Sequence, residues 1–229
     1  GTDTLDYSAY TATVTVNIAA GTATGTNGIS NIEVITGGSG LNTITGDSGN
    51  NVLYAGTSND ILIGGGGDDT YIFRDGWGND IIIDSSGNDT LDFSAVTNVT
   101  GTITFTFGAS SITAASGGNL VTVNGVENFV GGNFGNHFVI QDGVMVIGNV
   151  SGGAGNDTLD LSSYATPRNV TLTSLGAVDG FNGTEASIGG EFKNINTLIG
   201  STLVGDTLTG LNASTTWNIN AISHSLSAL

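Results

Sequence analysis

The chain has no cysteine, a single proline (Pro167), and three basic residues, Arg74, Arg168 and Lys193, among 229. Without cysteine no disulfide can staple the fold, and a thiolate metal site or nucleophile is excluded. With 20 acidic residues against those three and a formal net charge of −17, nucleic acid and anionic membrane surfaces are disfavoured as partners. No apolar run is long enough to cross a membrane as a helix, and no amphipathic helical period or leader-like segment is present. The two histidines, His137 and His224, belong to no HExxH pattern, and no G-x-S-x-G elbow occurs. Paired acids for glycoside chemistry find no support either, because the aspartates recur at turn spacing. These absences leave no catalytic constellation, and we expect a protein that is not an enzyme.

What is abundant is glycine, 38 residues, alongside 38% hydrophobic residues that are largely β-branched. That combination argues for many short strands rather than disorder. From Gly37 the sequence divides every nine residues into GGSGLNTIT, GDSGNNVLY, AGTSNDILI and GGGGDDTYI. An eleven-residue variant, FRDGWGNDIII, and DSSGNDTLD follow. The sixth place holds Asn42, Asn51, Asp60, Asp69 and Asp89, with Asp80 equivalent in the long unit. Two places on comes an apolar residue: Ile44, Leu53, Leu62, Tyr71, Ile82 or Leu91.

A glycine-rich six-residue turn tolerates positive φ and can aim backbone carbonyls at one point, and a three-residue strand then buries one side chain. Two units make one coil of a right-handed parallel spiral of about eighteen residues, with coils stacked about 4.8 Å apart. The fold class predicted is all-β, an elongated parallel β-roll or β-solenoid. Carboxylates and turn carbonyls of stacked units enclose a gap suited to a hard cation with oxygen ligands, which means calcium. The turn glycines Gly37, Gly46, Gly64 and Gly66 are the candidate carbonyl donors.

The pattern resembles the GGxGxDxUx nonapeptide of the RTX (repeats-in-toxin, haemolysin-type) calcium-binding family. GGGGDDTYI and GNDTLD carry the likeness, and GGAGNDTLD at residues 152–160 matches in full. The resemblance implies a calcium-loaded β-roll in a secreted or surface bacterial protein, with several ions. Carried over unit by unit, it pairs Asp60 with Asp80 on one edge and Asp69 with Asp89 on the other. Asn42 and Asn51 offer neutral oxygens in place of carboxylates, so their sites are expected to be weaker or missing.

A longer cassette recurs from Gly1, Gly87 and Gly155, opening on DTLD and continuing as an alternating strand, a variable loop and an exit toward glycine. Asp3 and Asp157 occupy the place of Asp89 and are further calcium candidates. Asp6, Asp92 and Asp160 either help bind calcium or cap turns. Asp206 in GDTLTG has the local look but no evident stacked partner. Asp84 stands where glycine is usual, as an extra ligand or an ordinary turn residue. Asp68 is expected to face solvent, and Asn136 sits in a degenerate unit.

The organisation expected is cassette 1 over residues 1–36, the nonapeptide roll over 37–92, cassette 2 over 87–154, and cassette 3 with its continuation over 155–229. Together they form one solenoid with the cassettes as wider coils, on the order of ten to twelve coils and roughly 50–60 Å in all. The chain opens mid-motif and stops mid-pattern, so it reads as a segment of something longer. The cassettes resemble RTX adhesins and calcium-dependent surface-layer or sheath proteins. The expected function is a calcium-stabilised structural segment, located outside a bacterial cell. Its expected partners are neighbouring repeats of the same or identical chains, in an oligomer, filament or lattice, or cell-surface glycans. The alternatives are a calcium-binding secretion module of an enzyme and a carbohydrate- or ice-binding face. For a sugar face, Trp77, Trp217, Tyr7, Tyr10, Tyr54 and Tyr164 are the aromatic candidates.

Overall fold

A computed structural model describes residues 1–98 and 101–211. His224 and Trp217 lie outside the described residues. The described chain is strands and turns without a helix, and its strands form two eleven-stranded sheets.

Strand β1 (Thr4–Asp6) enters one sheet, and β2 (Val14–Asn17) with β3 (Thr22–Ala23) forms a hairpin in the other. The chain then winds between the sheets through β4 (Val34–Thr36), β5 (Asn42–Thr45), β6 (Val52–Tyr54), β7 (Ile61–Ile63), β8 (Thr70–Ile72), β9 (Asn79–Ile83) and β10 (Thr90–Asp92). Even-numbered members of this run stack parallel in the first sheet and odd-numbered ones in the second. The nine-residue period sets the register. Ile35, Leu53, Tyr71 and Leu91 align in one file, and Val16, Ile44, Leu62 and Ile82 in the other. Each of these side chains is fully buried. One apolar residue per short strand therefore suffices for a continuous core, because every coil covers its neighbour.

Cassettes 2 and 3 depart from the expectation of wider coils. After β10 come β11 (Ile103–Phe107), β12 (Ile112–Ser116) and β13 (Asn119–Asn124), an antiparallel meander laid into the second sheet. β13 pairs back with β9, while β11 pairs ahead with β15 (Asn136–Ile140). The first sheet meanwhile advances directly from β10 to β14 (Asn128–Val130). Beyond β16 (Val150–Ser151) and β17 (Thr158–Asp160), the device recurs in the first sheet. There β18 (Asn169–Leu175), β19 (Phe181–Thr184) and β20 (Phe192–Ile195) form the meander, with β21 (Thr197–Ile199) and β22 (Thr207–Thr209) closing the two sheets. The reason is local. Residues 116–119 read SGGN, and Gly117 and Gly118 both take positive φ (59° and 95°), as a two-residue hairpin requires.

Where one sheet gains two strands, rings fill the interior. Phe93 stacks on Phe73 and meets Trp77 and Phe105 edge-on, and Phe105 stacks on Phe138 at 4.6 Å. Trp77 is thus core, and Tyr7 and Tyr164 are buried as well, which removes them from any sugar-stacking surface.

Candidate metal centre

The six-residue turns line both edges of the roll, and their sixth residues stack. Each sixth-place aspartate accepts a hydrogen bond, through Oδ1, from the backbone N–H of the equivalent residue one coil earlier. On one edge Asn42 N–H donates to Asp60 (2.6 Å) and Asp60 N–H to Asp80 (2.7 Å). On the other, Asn51 N–H donates to Asp69 and Asp69 N–H to Asp89, both at 2.7 Å. Further along, Asn136 N–H donates to Asp157 (2.7 Å) and Asp157 N–H to Asn196 (2.9 Å). All six sixth-place residues of the roll, with Asn136 and Asp157, are buried.

One oxygen of each carboxylate is used in this way and the other is not. Oδ2 of Asp60, Asp69, Asp80, Asp89 and Asp157 is buried without a hydrogen-bond partner. An orphaned carboxylate oxygen is costly unless it is protonated or meets a cation. Burial pushes Asp60, Asp89 and Asp157 up to about 6, and Asp69 and Asp80 to about 7. The first-place glycines leave room beside these oxygens. A Cβ on Gly152 would overlap Asp157 Oδ2 and the carbonyl of Asn194, and one on Gly64 would overlap Asp69 Oδ2. A Cβ on Gly37 or Gly46 would likewise overlap the carbonyl of Ala55 or Gly64 in the next coil. Unpaired carboxylate oxygens facing turn carbonyls in a cleft free of Cβ atoms are a donor set for a hard, oxygen-seeking cation. Gly66 sits at the top of its turn and donates its N–H to Asp47 O (2.9 Å).

The asparagine-bearing turns are built differently. Asn42 directs Nδ2 at Gly38 O (3.1 Å), Ala55 O (3.1 Å) and Asp60 Oδ1 (2.9 Å). Asn136 directs Nδ2 at Gly132 O, Phe134 O, Gly152 O and Asp157 Oδ1. In both turns, and in that of Asn51, the side-chain oxygen accepts from the second-place N–H. The backbone follows suit. Positive φ occurs at the second and fourth places of the turns ending in Asp60, Asp69 and Asp157, and at neither place in those ending in Asn42, Asn51 and Asn136.

The family described as RTX calcium-binding nonapeptide repeat (4 copies) matches residues 34–71, 74–92 and 149–163. Those segments hold the aspartate turns just described. The chain carries RTX calcium-binding repeats. No curated protein matches the chain. RTX repeats bind calcium ions between turns, and proteins that carry them are typically secreted by bacteria. The chain is accordingly a calcium-binding structural module of a secreted protein.

Other predicted residues fall outside the RTX clefts. Asp3 is exposed just before β1, and its N–H donates to Glu33 Oε2 (2.8 Å). Asp6, Asp92 and Asp160 cap the turns that follow them, accepting from the N–H groups of Ser8, Ser94 and Ser162 at 2.7–2.8 Å. Asp68 is exposed and accepts from Asn88 N–H. Asp206 is buried and accepts from Arg168 N–H and Ser201 Oγ, so its stacked neighbour is the backbone of Arg168. His137 lies half-buried beside Asp160 Oδ2 (3.1 Å).

Three participants went unpredicted. Glu127 continues the ladder above Asp89, whose N–H it receives at 2.8 Å, as Glu33 does for Asp3. Their shared signal is an acid in the exit segments IEVIT and VENFV. Asn196 continues the ladder above Asp157, in FKNINTLIG.

Proposed function

We propose that the chain is a calcium-rigidified structural segment of a large extracellular bacterial surface protein of adhesin, sheath or surface-layer type, and that it folds when it meets calcium outside the cell. The observation that carries this reading is the set of five buried carboxylates, Asp60, Asp69, Asp80, Asp89 and Asp157, each with one oxygen lacking a partner. They stand in a chain whose formal net charge is −17. Bound calcium supplies the positive charge and the oxygen coordination that those atoms lack. The residues then act as holders. The carboxylates beside Gly64 and Gly152 and the Asn194 carbonyl face the ion, the backbone ladder fixes the carboxylates in register, and the glycines keep the clefts open. The ligands exist as a set only in the folded coil, so binding and folding are one equilibrium.

The fold itself supports a structural role. Both sheets extend by repetition, and the cassettes lengthen them with meanders. Hydrodynamic radius and protease resistance test the proposal together. In chelator the chain should be expanded and rapidly cleaved, and in millimolar calcium compact and resistant. A chain equally compact and resistant in both would contradict calcium-driven folding.

A further inference from the structure

The nine-residue pattern is broken twice in one stack of turns, and the two departures touch. Tyr71 stands where the other units place Ile44, Leu53, Leu62, Ile82 or Leu91, and Asp84 stands at the first place, held by glycine in Gly37, Gly46 and Gly64. The Tyr71 ring is fully buried, yet its hydroxyl passes beyond the core and donates to Asp84 Oδ2 at 2.5 Å. Both groups arrive at the cleft beside Gly64. A Cβ on that glycine would overlap Asp69 Oδ2, the Tyr71 hydroxyl and Asp84 Oδ2 together.

A third carboxylate therefore enters a space where the repeat supplies two. One oxygen each from Asp69, Asp84 and Asp89 lies within 4.8 Å of the others. Asp69 and Asp89 are 1% and 0% exposed, and Oδ2 of each is without a hydrogen-bond partner. Asp84 is anchored from both sides, by Tyr71 at Oδ2 and by the N–H groups of Ser85 (2.6 Å) and Ser86 (3.2 Å) at Oδ1. The ion pairs among the described residues are His137–Asp160 and Arg168–Glu185, so no cationic side chain neutralises this cluster. Three like charges this close need a counter-charge or protons.

We propose that the turns at residues 64–69 and 84–89 form a three-carboxylate cation site, in which Asp84 is a ligand at a place the repeat gives to glycine, Tyr71 positions it, and calcium is held more tightly than at any other turn pair. The inference rests on the calcium reading above and adds a rank order to it. Affinity of an oxygen site for calcium rises with the number of charged ligands, and a third carboxylate also favours a trivalent lanthanide. The site would fill first and hold the middle of the roll before the remaining clefts close.

Calcium titration calorimetry of the whole chain in a magnesium background tests this, with Asp84→Gly, Asp84→Asn and Tyr71→Phe alongside. Asp84→Gly restores the residue of the other units, and Asp84→Asn keeps the shape should the glycine variant fold poorly. The wild type should show one ion bound ahead of the rest. Both Asp84 variants should weaken that ion by about tenfold or more, leaving the later ions and the calcium-loaded far-ultraviolet spectrum unchanged. Tyr71→Phe should weaken the tight ion by less than the Asp84 variants, because the Ser85 and Ser86 N–H groups still hold Asp84, and should lower the tyrosine-sensitised luminescence of the first terbium ion bound. Unchanged binding in both Asp84 variants would overturn the proposal and leave Asp84 as a hydrogen-bond acceptor for Tyr71. A wild type that takes up no calcium would overturn the calcium reading itself, without reference to any variant.

Discussion

At the scale of the residue, aspartate and asparagine at the sixth place do different work. Asp60 and Asp157 leave Oδ2 without a partner, whereas Asn42 and Asn136 point an amide N–H₂ group at the same kind of carbonyl cluster. An amide satisfies those oxygens with its own hydrogens, so the coil needs no ion there. Asn42→Asp should therefore add one calcium per chain, read by titration calorimetry, and an unchanged stoichiometry would show that the turn backbone, not the side chain, decides. The raised carboxyls give a pH dependence. In chelator, Asp60, Asp69, Asp80, Asp89 and Asp157 hold their protons up to about 6 or 7 in the folded chain, against 3.8 ordinarily. Between about pH 4 and 7 the folded state then binds more protons than the unfolded one, so stability falls as pH rises through that window. In chelator the chain should gain β-structure, read by far-ultraviolet circular dichroism, as pH falls from 8 to 5, and calcium should cancel the difference. A spectrum in chelator independent of pH would mean that these carboxylates are solvated.

At the scale of the element, one strand contributes one core residue. Leu62 on β7 lies between Ile44 and Ile82 and is fully buried. Leu62→Ala should cost about 2–5 kcal/mol in chemical denaturation of the calcium-loaded chain, with calcium stoichiometry retained. Gly152→Ala should instead lose calcium at the Asp157 cleft, because its Cβ would overlap Asp157 Oδ2 and the carbonyl of Asn194. The same scale separates what was legible in the sequence from what was not. The alternation of Leu53, Leu62, Tyr71 and Ile82 with Asp60, Asp69 and Asp80 gave the roll, its register and the stacking of its turns, because in a nine-residue period the spacing is itself the geometry. The meanders were hidden because alternation such as Ile103-Thr-Phe105-Thr-Phe107 is the same whichever way a strand runs. Only the Gly117–Gly118 pair marked the reversal. The meeting of Tyr71 with Asp84 was illegible for another reason. Thirteen positions separate them, and the contact exists only once a strand of one coil lies under the turn of the next.

At the scale of the whole molecule, the meanders balance. One adds two strands to the second sheet and the other two strands to the first, and with the β2–β3 hairpin both sheets reach eleven. Ten steps of about 4.8 Å give a stack of roughly 48 Å. Its core is continuous, but its charge is not balanced from within, since 20 acidic residues face three basic ones. Self-repulsion of that size opposes a compact state, and cations held between turns offset it where the acids are most buried. Far-ultraviolet circular dichroism through a calcium titration that begins in chelator, with magnesium as control, tests this account most directly. A cooperative coil-to-β transition is expected between micromolar and millimolar calcium, absent with magnesium and blunted in Asp60→Ala/Asp69→Ala. A chain already rich in β-structure in chelator at neutral pH, with a spectrum indifferent to calcium, would contradict it.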